Sequence, residues 1–437
     1  MFDKIKKFLD KKNVLILGFG REGRSTLDFL TKYVDCKKIT VADKNDLSHL
    51  LKEGIEGVFG ENYMENLDSY DVIIKSPGIV YENVSPSVIE KTTSQTHLFL
   101  MEFRDNTIGI TGTKGKSTTT TLIYHILKNS GVDAILTGNI GIPPLDSAPL
   151  MKEGSVAVFE MSCHQLEFEN ISPRRAVILN LFEDHLDHYK TRNNYVKAKE
   201  NIFLNQDKED TLFISSDCLE QIEKSPSKVI TLGKENADFT YKDETVVSHN
   251  GKISIPLDSI SLVGEHNLYN VMTAFAVTSD FGVDEKSFIS ALLTYKSLPH
   301  RLEFVATKNG VNYYDDSIST VCQTTIQAIE SLKNVTTVLV GGMDRGIDYS
   351  ELIEYFEKNK IQNIILMYES GKRIAGELLE KNIKHFLVSD LEEAVKLASD
   401  LTGEGNTCVL SPAAASYGYF KNFEERGEKF SELVKKL

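Results

Sequence analysis

With 437 residues and a formal net charge of −14, the chain is too long for one hydrophobic core and suits two to four domains. The acidic balance, without a Lys/Arg cluster, argues against a nucleic-acid partner, whose phosphates need a basic face. Five scattered cysteines (Cys36, Cys163, Cys218, Cys322, Cys408) without a C-x-x-C pair, no apolar run near the roughly 18 residues that span a bilayer, and no signal-peptide apolar region after Met1 predict a cytoplasmic chain without disulfides.

The first hundred residues alternate short apolar, β-branched runs with helical patterns. Val14 to Leu17, Lys38 to Val41 and Val72 to Lys75 read as strands of a parallel sheet. Gly18-Phe19-Gly20-Arg21-Glu22-Gly23 fits G-x-G-x-x-G between strand and helix, and Asp43 closes the second strand where a dinucleotide fold holds a ribose hydroxyl. Alone, this fingerprint predicts NAD(H). It specifies a nucleotide or pyrophosphate at a helix N-terminus more securely than it specifies a nicotinamide. The turn Ser76-Pro77-Gly78 follows the third strand and is expected to border the same crevice, with a purely structural Pro-Gly turn as the alternative.

From about Leu100 the pattern becomes that of a nucleoside triphosphatase core. The strand end at Ile110 runs through Gly112-Thr113-Lys114-Gly115-Lys116-Ser117-Thr118 into a helix. Backbone N–H groups of such a turn cradle phosphate, Lys116 can reach the outer phosphates and the Ser117 hydroxyl can ligate Mg²⁺. The loop is shorter than the strict G-x-x-x-x-G-K-[ST], which would put glycine at Ile110. Val156 to Phe159 reads as a strand ending in Glu160, a usual place for a Mg²⁺ ligand. A further strand, Ala176 to Leu179, leads into Glu183-Asp184-His185-Leu186-Asp187-His188, a candidate hard-metal and acid/base cluster without cysteine, which argues against structural zinc. Beyond His300, strands around Tyr313, Thr337 to Val340, Asn363 to Met367 and Thr407 to Leu410 alternate with helices in another doubly wound pattern. Gly341 to Gly346 and Ser411 to Ser416 follow two of them, where such sheets bind ligands.

Eight motifs in order give the chain a resemblance to the Mur ligases over nearly its whole length. They are Gly112 to Ser117, Glu160-Met161-Ser162, Asp184 to Tyr189, Tyr195-Val196-Lys197-Ala198-Lys199, Gly264 to Asn267 with Asn270, Leu298 to Glu303, Asp315-Asp316-Ser317, and Leu410 to Ser416 with Phe420 to Gly427. The last set resembles the D-glutamate-adding branch. The resemblance implies three α/β domains: a Rossmann-like UDP-sugar-binding domain (1–98), a P-loop ATP-binding domain (99–298) and a Rossmann-like amino-acid-binding domain (299–437). It implies a monomer that joins D-glutamate to UDP-N-acetylmuramoyl-L-alanine at the expense of ATP, through an acyl phosphate, in peptidoglycan precursor synthesis.

Residue by residue, the resemblance assigns Gly112 to Thr118 with Asn270, Arg301 and Asp316 to ATP, and Ser117, Glu160, His185 and a carbamylated Lys199 to Mg²⁺. Lys116, Glu160, His185 and Lys199 are the candidate catalytic groups. Gly20, Arg21, Asp43, Ser76, Pro77, Gly78 and Asn139 fall to the sugar nucleotide, and Arg345, Ser416, Tyr417 and Phe423 to D-glutamate. The chain departs from the family at three places. Lys114 stands at an asparagine position, Ile318 at a lysine position and is left out of the site, and Arg345 where some members have lysine. Two other classes remain: an NAD-dependent oxidoreductase built on the glycine fingerprint, and a nucleotide-binding regulator without turnover. A sibling ligase for a different amino acid is the alternative within the enzyme class.

Overall fold

A computed structural model describes residues 1–81, 84–182, 186–242, 245–248, 251–256, 259–262, 264–359 and 361–437. Its strands form three sheets. The first contains β1 (Asn13–Leu17), β2 (Lys38–Asp43), β3 (Glu56–Phe59), β4 (Val72–Lys75) and β5 (Thr92–Thr93), all parallel, in the order β3-β2-β1-β4-β5. The chain leaves β1 for β2 on one side and returns to β4 on the other, so the order reverses at β1. The Gly18 and Ser76 turns thus follow β1 and β4 at the point of reversal, where such sheets bind ligands.

The second sheet holds β6 (Thr107–Thr111), β7 (Ala134–Gly138), β8 (Val156–Glu160), β9 (Arg175–Ile178), β10 (Thr211–Ser215), β11 (Lys228–Gly233), β12 (Phe239–Lys242), β13 (Thr245–Ser248) and β14 (Gly251–Ser254). Its order is β14-β13-β12-β11-β10-β9-β6-β8-β7, parallel from β7 to β12 and antiparallel beyond. Thus β6, which carries the phosphate loop, lies between β8 and β9. All five of its residues are buried, as are those of β8, where Val156 to Phe159 form a continuous apolar run.

The third sheet, β15 (Glu303–Lys308), β16 (Val311–Asp315), β17 (Val335–Val340), β18 (Asn363–Met367), β19 (Phe386–Val388) and β20 (Thr407–Leu410), has the order β15-β16-β20-β17-β18-β19. Only β15 is antiparallel to its neighbour. The flanking helices Ser350–Asn359, Tyr368–Glu380 and Leu391–Leu401 each bury one apolar stripe on it, Leu352, Ile353 and Phe356 in the first case.

The chain divides into two compact units: residues 1–256 with 268–295, and residues 257–267 with 296–437. The first unit holds the first two sheets, joined by one hydrophobic cluster that includes Phe2, Phe29 and Leu30 from one end and Phe99, Phe159 and Phe203 from the other. The second unit holds the third sheet. No helix among the described residues is long and apolar enough to cross a membrane.

Candidate active site

The phosphate loop leaves β6 and turns into the helix Lys116–Asn129. Two glycines make the turn possible. Gly115 has φ +80°, and a side chain there would meet Asn270 Oδ1 at 2.7 Å; one at Gly112 would meet Leu179 Cβ at 2.9 Å. The first intrahelical bond runs from Thr119 N–H to the Gly115 carbonyl at 2.9 Å. The N–H groups of residues 115–118 precede it, at the positive end of the helix dipole. Lys116 Nζ lies back over the loop, donating to the carbonyls of Gly112 at 2.9 Å and Thr113 at 3.0 Å. Asn270 is buried, and its Oδ1 accepts from the Thr119 hydroxyl at 3.2 Å, so it stands against the loop.

Glu160 ends β8 one strand away, in register with Ile110. It is 1% exposed. Its Oε1 accepts from Asn139 Nδ2 at 2.8 Å, while its Oε2 is buried and has no hydrogen-bond partner among the described residues. Asn139 is thereby brought to Glu160, and its own N–H donates to the Glu160 carbonyl at 3.0 Å. A buried carboxylate oxygen left unmatched is costly and suits a cation, so the donor set fits a divalent hard metal with Ser117 at the helix start. Lys199, 1% exposed on the helix Arg192–Glu200, donates to Thr111 Oγ1 at 3.2 Å and to the Gly112 carbonyl at 2.9 Å. It therefore reaches the root of the phosphate loop from behind. His185 lies outside the described residues, as do Glu183 and Asp184. His188 of the same run is engaged elsewhere, with its Nε2 3.0 Å from Glu167 Oε1.

In the crevice of the first sheet, the glycine turn and the Ser76 turn meet: Ser76 Oγ donates to the Gly18 carbonyl at 2.8 Å, and Gly18 has φ +91°. A side chain on Gly23 would fall 2.1 Å from the Gly18 carbonyl oxygen, whereas Gly20 and Gly78 face open space. Gly20 also begins the helix Arg21–Tyr33 without a capping side chain, which leaves its N-terminus to an anion. Asp43 braces this turn: its Oδ2 accepts the Phe19 N–H at 2.7 Å and its Oδ1 the Asn45 N–H at 2.9 Å. Arg21 is exposed, and its guanidinium donates to the Gly141 carbonyl next to the Asn139 turn. Lys75, just before Ser76, is 4% exposed, and burial lowers its pKa although Glu167 and Glu22 oppose this.

In the second unit the loops after β16, β17 and β20 come together. Gly341 N–H donates to the Pro412 carbonyl and Met343 N–H to the Ala415 carbonyl, both at 2.8 Å, so the Gly341–Gly346 turn lies along Ser411–Ser416. Ser416 is buried, Tyr417 and Arg345 are exposed, and Phe423 is half-buried at the start of the helix Phe423–Lys436. Asp316 is 3% exposed, with Oδ2 accepting from Ser411 Oγ at 2.7 Å and Oδ1 from Leu302 N–H at 3.3 Å. Burial pushes its pKa up to about 7. Arg301 is half-buried, and its charge opposes that rise.

Sequence reasoning quoted most of the groups that hold these loops in place within its motifs but gave them no role. Arg426 is fully buried and donates to Ser317 Oγ at 2.9 Å, the Ser317 carbonyl at 2.8 Å and the Ala414 carbonyl at 3.1 Å, tying the loop after β16 to the loop after β20. Burial lowers its pKa to about 10. His300 and Asp315 form a buried pair at 2.7 Å, which raises the His300 pKa. A side chain on Gly427 would fall 2.1 Å from His300 Nδ1. Asn180 and Tyr195 brace the phosphate loop; Tyr195 Oη is 2.9 Å from Thr113 Oγ1. The signal for Asn180 was present, as an amide two residues beyond the strand paired with β6.

A family model described as the Mur ligase middle domain matches residues 110–278, and one described as the Mur ligase, glutamate ligase domain matches residues 300–414. Among curated relatives, the UDP-N-acetylmuramoylalanine--D-glutamate ligase of Clostridium botulinum (strain 657 / Type Ba4) is 32% identical over a 462-residue alignment covering 100% of this chain and 99% of the relative. That of Bacillus subtilis (strain 168) is 32% identical over 448 residues, covering 99% of each. Among solved structures, the MurF ligase of Thermotoga maritima in complex with ADP shares the fold with a TM-score of 0.62 at 19% identity, covering 100% of both chains. The UDP-N-acetylmuramate-alanine ligase of the same organism has a TM-score of 0.62 at 17% identity, covering 97% of this chain and 99% of its own.

Proposed function

The chain belongs to the Mur ligase family, and from that premise we propose that it forms the amide bond between UDP-N-acetylmuramoyl-L-alanine and D-glutamate, with hydrolysis of ATP to ADP and phosphate, in peptidoglycan precursor synthesis. It is an ATP-dependent ligase of the three-domain α/β type. We further assign residues 1–98 to the sugar nucleotide, 99–298 to ATP and 299–437 to the amino acid. The observation that carries this reading is the phosphate loop beside the buried, half-matched Glu160 carboxylate, in a chain that aligns end to end with D-glutamate ligases.

A carboxylate does not acylate an amine in water. The L-alanine carboxylate therefore attacks the ATP γ-phosphorus, breaking its bond to the β-γ bridging oxygen and giving an acyl phosphate and ADP. The neutral amine of D-glutamate then attacks the acyl carbon, phosphate leaves, and the amine gives up a proton. Two anions must meet in the first step, so positioning and charge neutralisation dominate it. The helix-start N–H groups and Lys116 hold the phosphates, and Asn139 orients Glu160. Ser117, Glu160 and, by the family resemblance, His185 would hold Mg²⁺, which would supply further neutralisation at the phosphates. Lys199, as a carbamate, would replace a buried cation with an anion able to ligate a divalent metal. Arg301 and Asp316 carry the family's nucleotide positions in the second unit, and Arg345, Ser416, Tyr417 and Phe423 its D-glutamate positions.

The test is phosphate release from ATP with UDP-N-acetylmuramoyl-L-alanine and a panel of D- and L-amino acids. Release that depends on both the sugar nucleotide and D-glutamate is expected. Release with another amino acid alone would make the chain a sibling ligase, and none with any would make it a nucleotide-binding regulator.

A further inference from the structure

The phosphate loop of this chain is two residues shorter than the strict G-x-x-x-x-G-K-[ST] spacing, so fewer of its own groups hold its shape. Asn180 supplies what is missing. The parallel ladder between β6 and β9 pairs Thr111 with Ile178, and two residues further on Thr113 lies beside Asn180. There the Thr113 N–H is shared between the Asn180 backbone carbonyl and its side-chain Oδ1, both at 3.0 Å. The same Oδ1 accepts the Lys114 N–H at 2.8 Å, and Asn180 Nδ2 donates to the Lys114 carbonyl at 3.1 Å. Two donors on one edge of the amide and an acceptor on the other fix its orientation.

Two consequences follow. The N–H groups of Thr113 and Lys114 are spent inside the protein, so phosphate is left to the amides at the helix start. The peptide of Lys114 is also gripped through both its N–H and its C=O, which fixes the direction in which that side chain leaves the loop. The Lys114 side chain is half-buried, and no hydrogen bond or ion pair of its ammonium is found among the described residues. We infer that Asn180 is a positioning residue for ATP: it preforms the short phosphate loop and aims Lys114, an added cation, at the phosphates. The inference rests on the ATP reading above.

Calorimetry of Mg·ADP and of UDP-N-acetylmuramoyl-L-alanine with the full chain, beside the KM for ATP, tests this with Asn180→Ala and Asn180→Asp. Asn180→Ala should weaken ADP and raise the KM for ATP by about tenfold or more, the loss of bonds worth roughly 1.4 kcal/mol, while sugar-nucleotide affinity stays within about twofold. Asn180→Asp keeps both N–H acceptors, and hence the loop, but loses the donor and places a negative charge beside phosphate. It should weaken ADP as much or more, again sparing the sugar nucleotide. Wild-type ADP affinity in the Asp variant, or parallel loss of both ligands in it, would overturn the inference. A wild-type chain that binds no nucleotide would overturn the ATP reading first. Lys114→Ala should lower ADP affinity in the wild type and have a smaller effect in the Asn180→Ala background; equal effects in both would refute the aiming role.

Discussion

Asp316→Asn should remove the pH dependence that this one carboxyl group imposes on stability. Asp316 is 3% exposed, and burial raises its pKa from 3.8 to about 7 against the hydrogen bonds from Ser319 and Ser411 and the charge of Arg301. The raised pKa means that the folded chain binds a proton there that the unfolded chain has already released. This contribution to stability is therefore complete below about pH 4 and is lost progressively as pH rises to about 7. A shift of about three units corresponds to roughly 4 kcal/mol at about 1.4 kcal/mol per unit, an upper figure since a buried site relaxes as it ionises. Asparagine cannot titrate, and its amide can still accept from Leu302 N–H and meet Ser411 Oγ. Relative to wild type, the variant should thus gain stability between about pH 4 and about pH 8, moving the urea midpoint of the second unit's transition by on the order of 1 M across the range. Comparing the two proteins in the same transition cancels every other titrating group. A midpoint difference that stays constant with pH would refute the buried-acid account of Asp316, and a wild type that gains relative stability towards high pH would reverse its sign.

Three further outcomes are expected. Lys199→Ala should be nearly inactive and partly restored by millimolar to molar concentrations of a short carboxylic acid, whereas Lys199→Arg should not be, since its guanidinium stays positive and fills the space; full activity of the alanine variant in carbon-dioxide-depleted buffer would exclude the carbamate. Ser416→Ala and Phe423→Ala should raise the KM for D-glutamate far more than that for ATP, and the opposite pattern would move the amino-acid pocket elsewhere. Gly427→Ala would place a methyl group 2.1 Å from His300 Nδ1 and 2.4 Å from Asp315 Oδ2, so the pair must separate; a loss of about 1–3 kcal/mol is expected in thermal melting, and an unchanged melting temperature would show that the pair is dispensable.

The strands that read clearly from sequence are the buried ones. β1, β4 and β8 are near-continuous apolar runs, as fits strands buried on both faces. β3, with Glu56 and Gly57 exposed at a sheet edge, and β19, three residues long, carry no such pattern. The phosphate loop and the glycine fingerprint were legible for a related reason: each is one contiguous segment whose glycines serve its own backbone. The role of Arg426 was not, although it lies in a quoted motif, since its partner Ser317 is 109 residues away and nothing near Arg426 in the chain marks it as buried. Asp43 shows a different gap. It ends β2, but the structure gives its oxygens to the Phe19 and Asn45 N–H groups, work that no spacing rule distinguishes from contact with a ribose.

The place of β20 in the third sheet sets a timetable for the chain's synthesis. β20 lies between β16 and β17, yet it is made last of the three, after β18 and β19. A ribosome adding ~5–20 residues per second needs roughly 3–13 s to pass from the end of β17 to the start of β20. Throughout that interval β16 and β17 each expose an unpaired backbone edge, and β17 carries Val338, Leu339 and Val340, all fully buried in the finished protein. Such edges invite pairing with neighbouring nascent chains. Slow translation across residues 341–406 should therefore favour aggregates, and a chaperone that shields hydrophobic strands should raise the yield of folded protein more in this part of the chain than in the first sheet, whose five strands are complete within the first 93 residues.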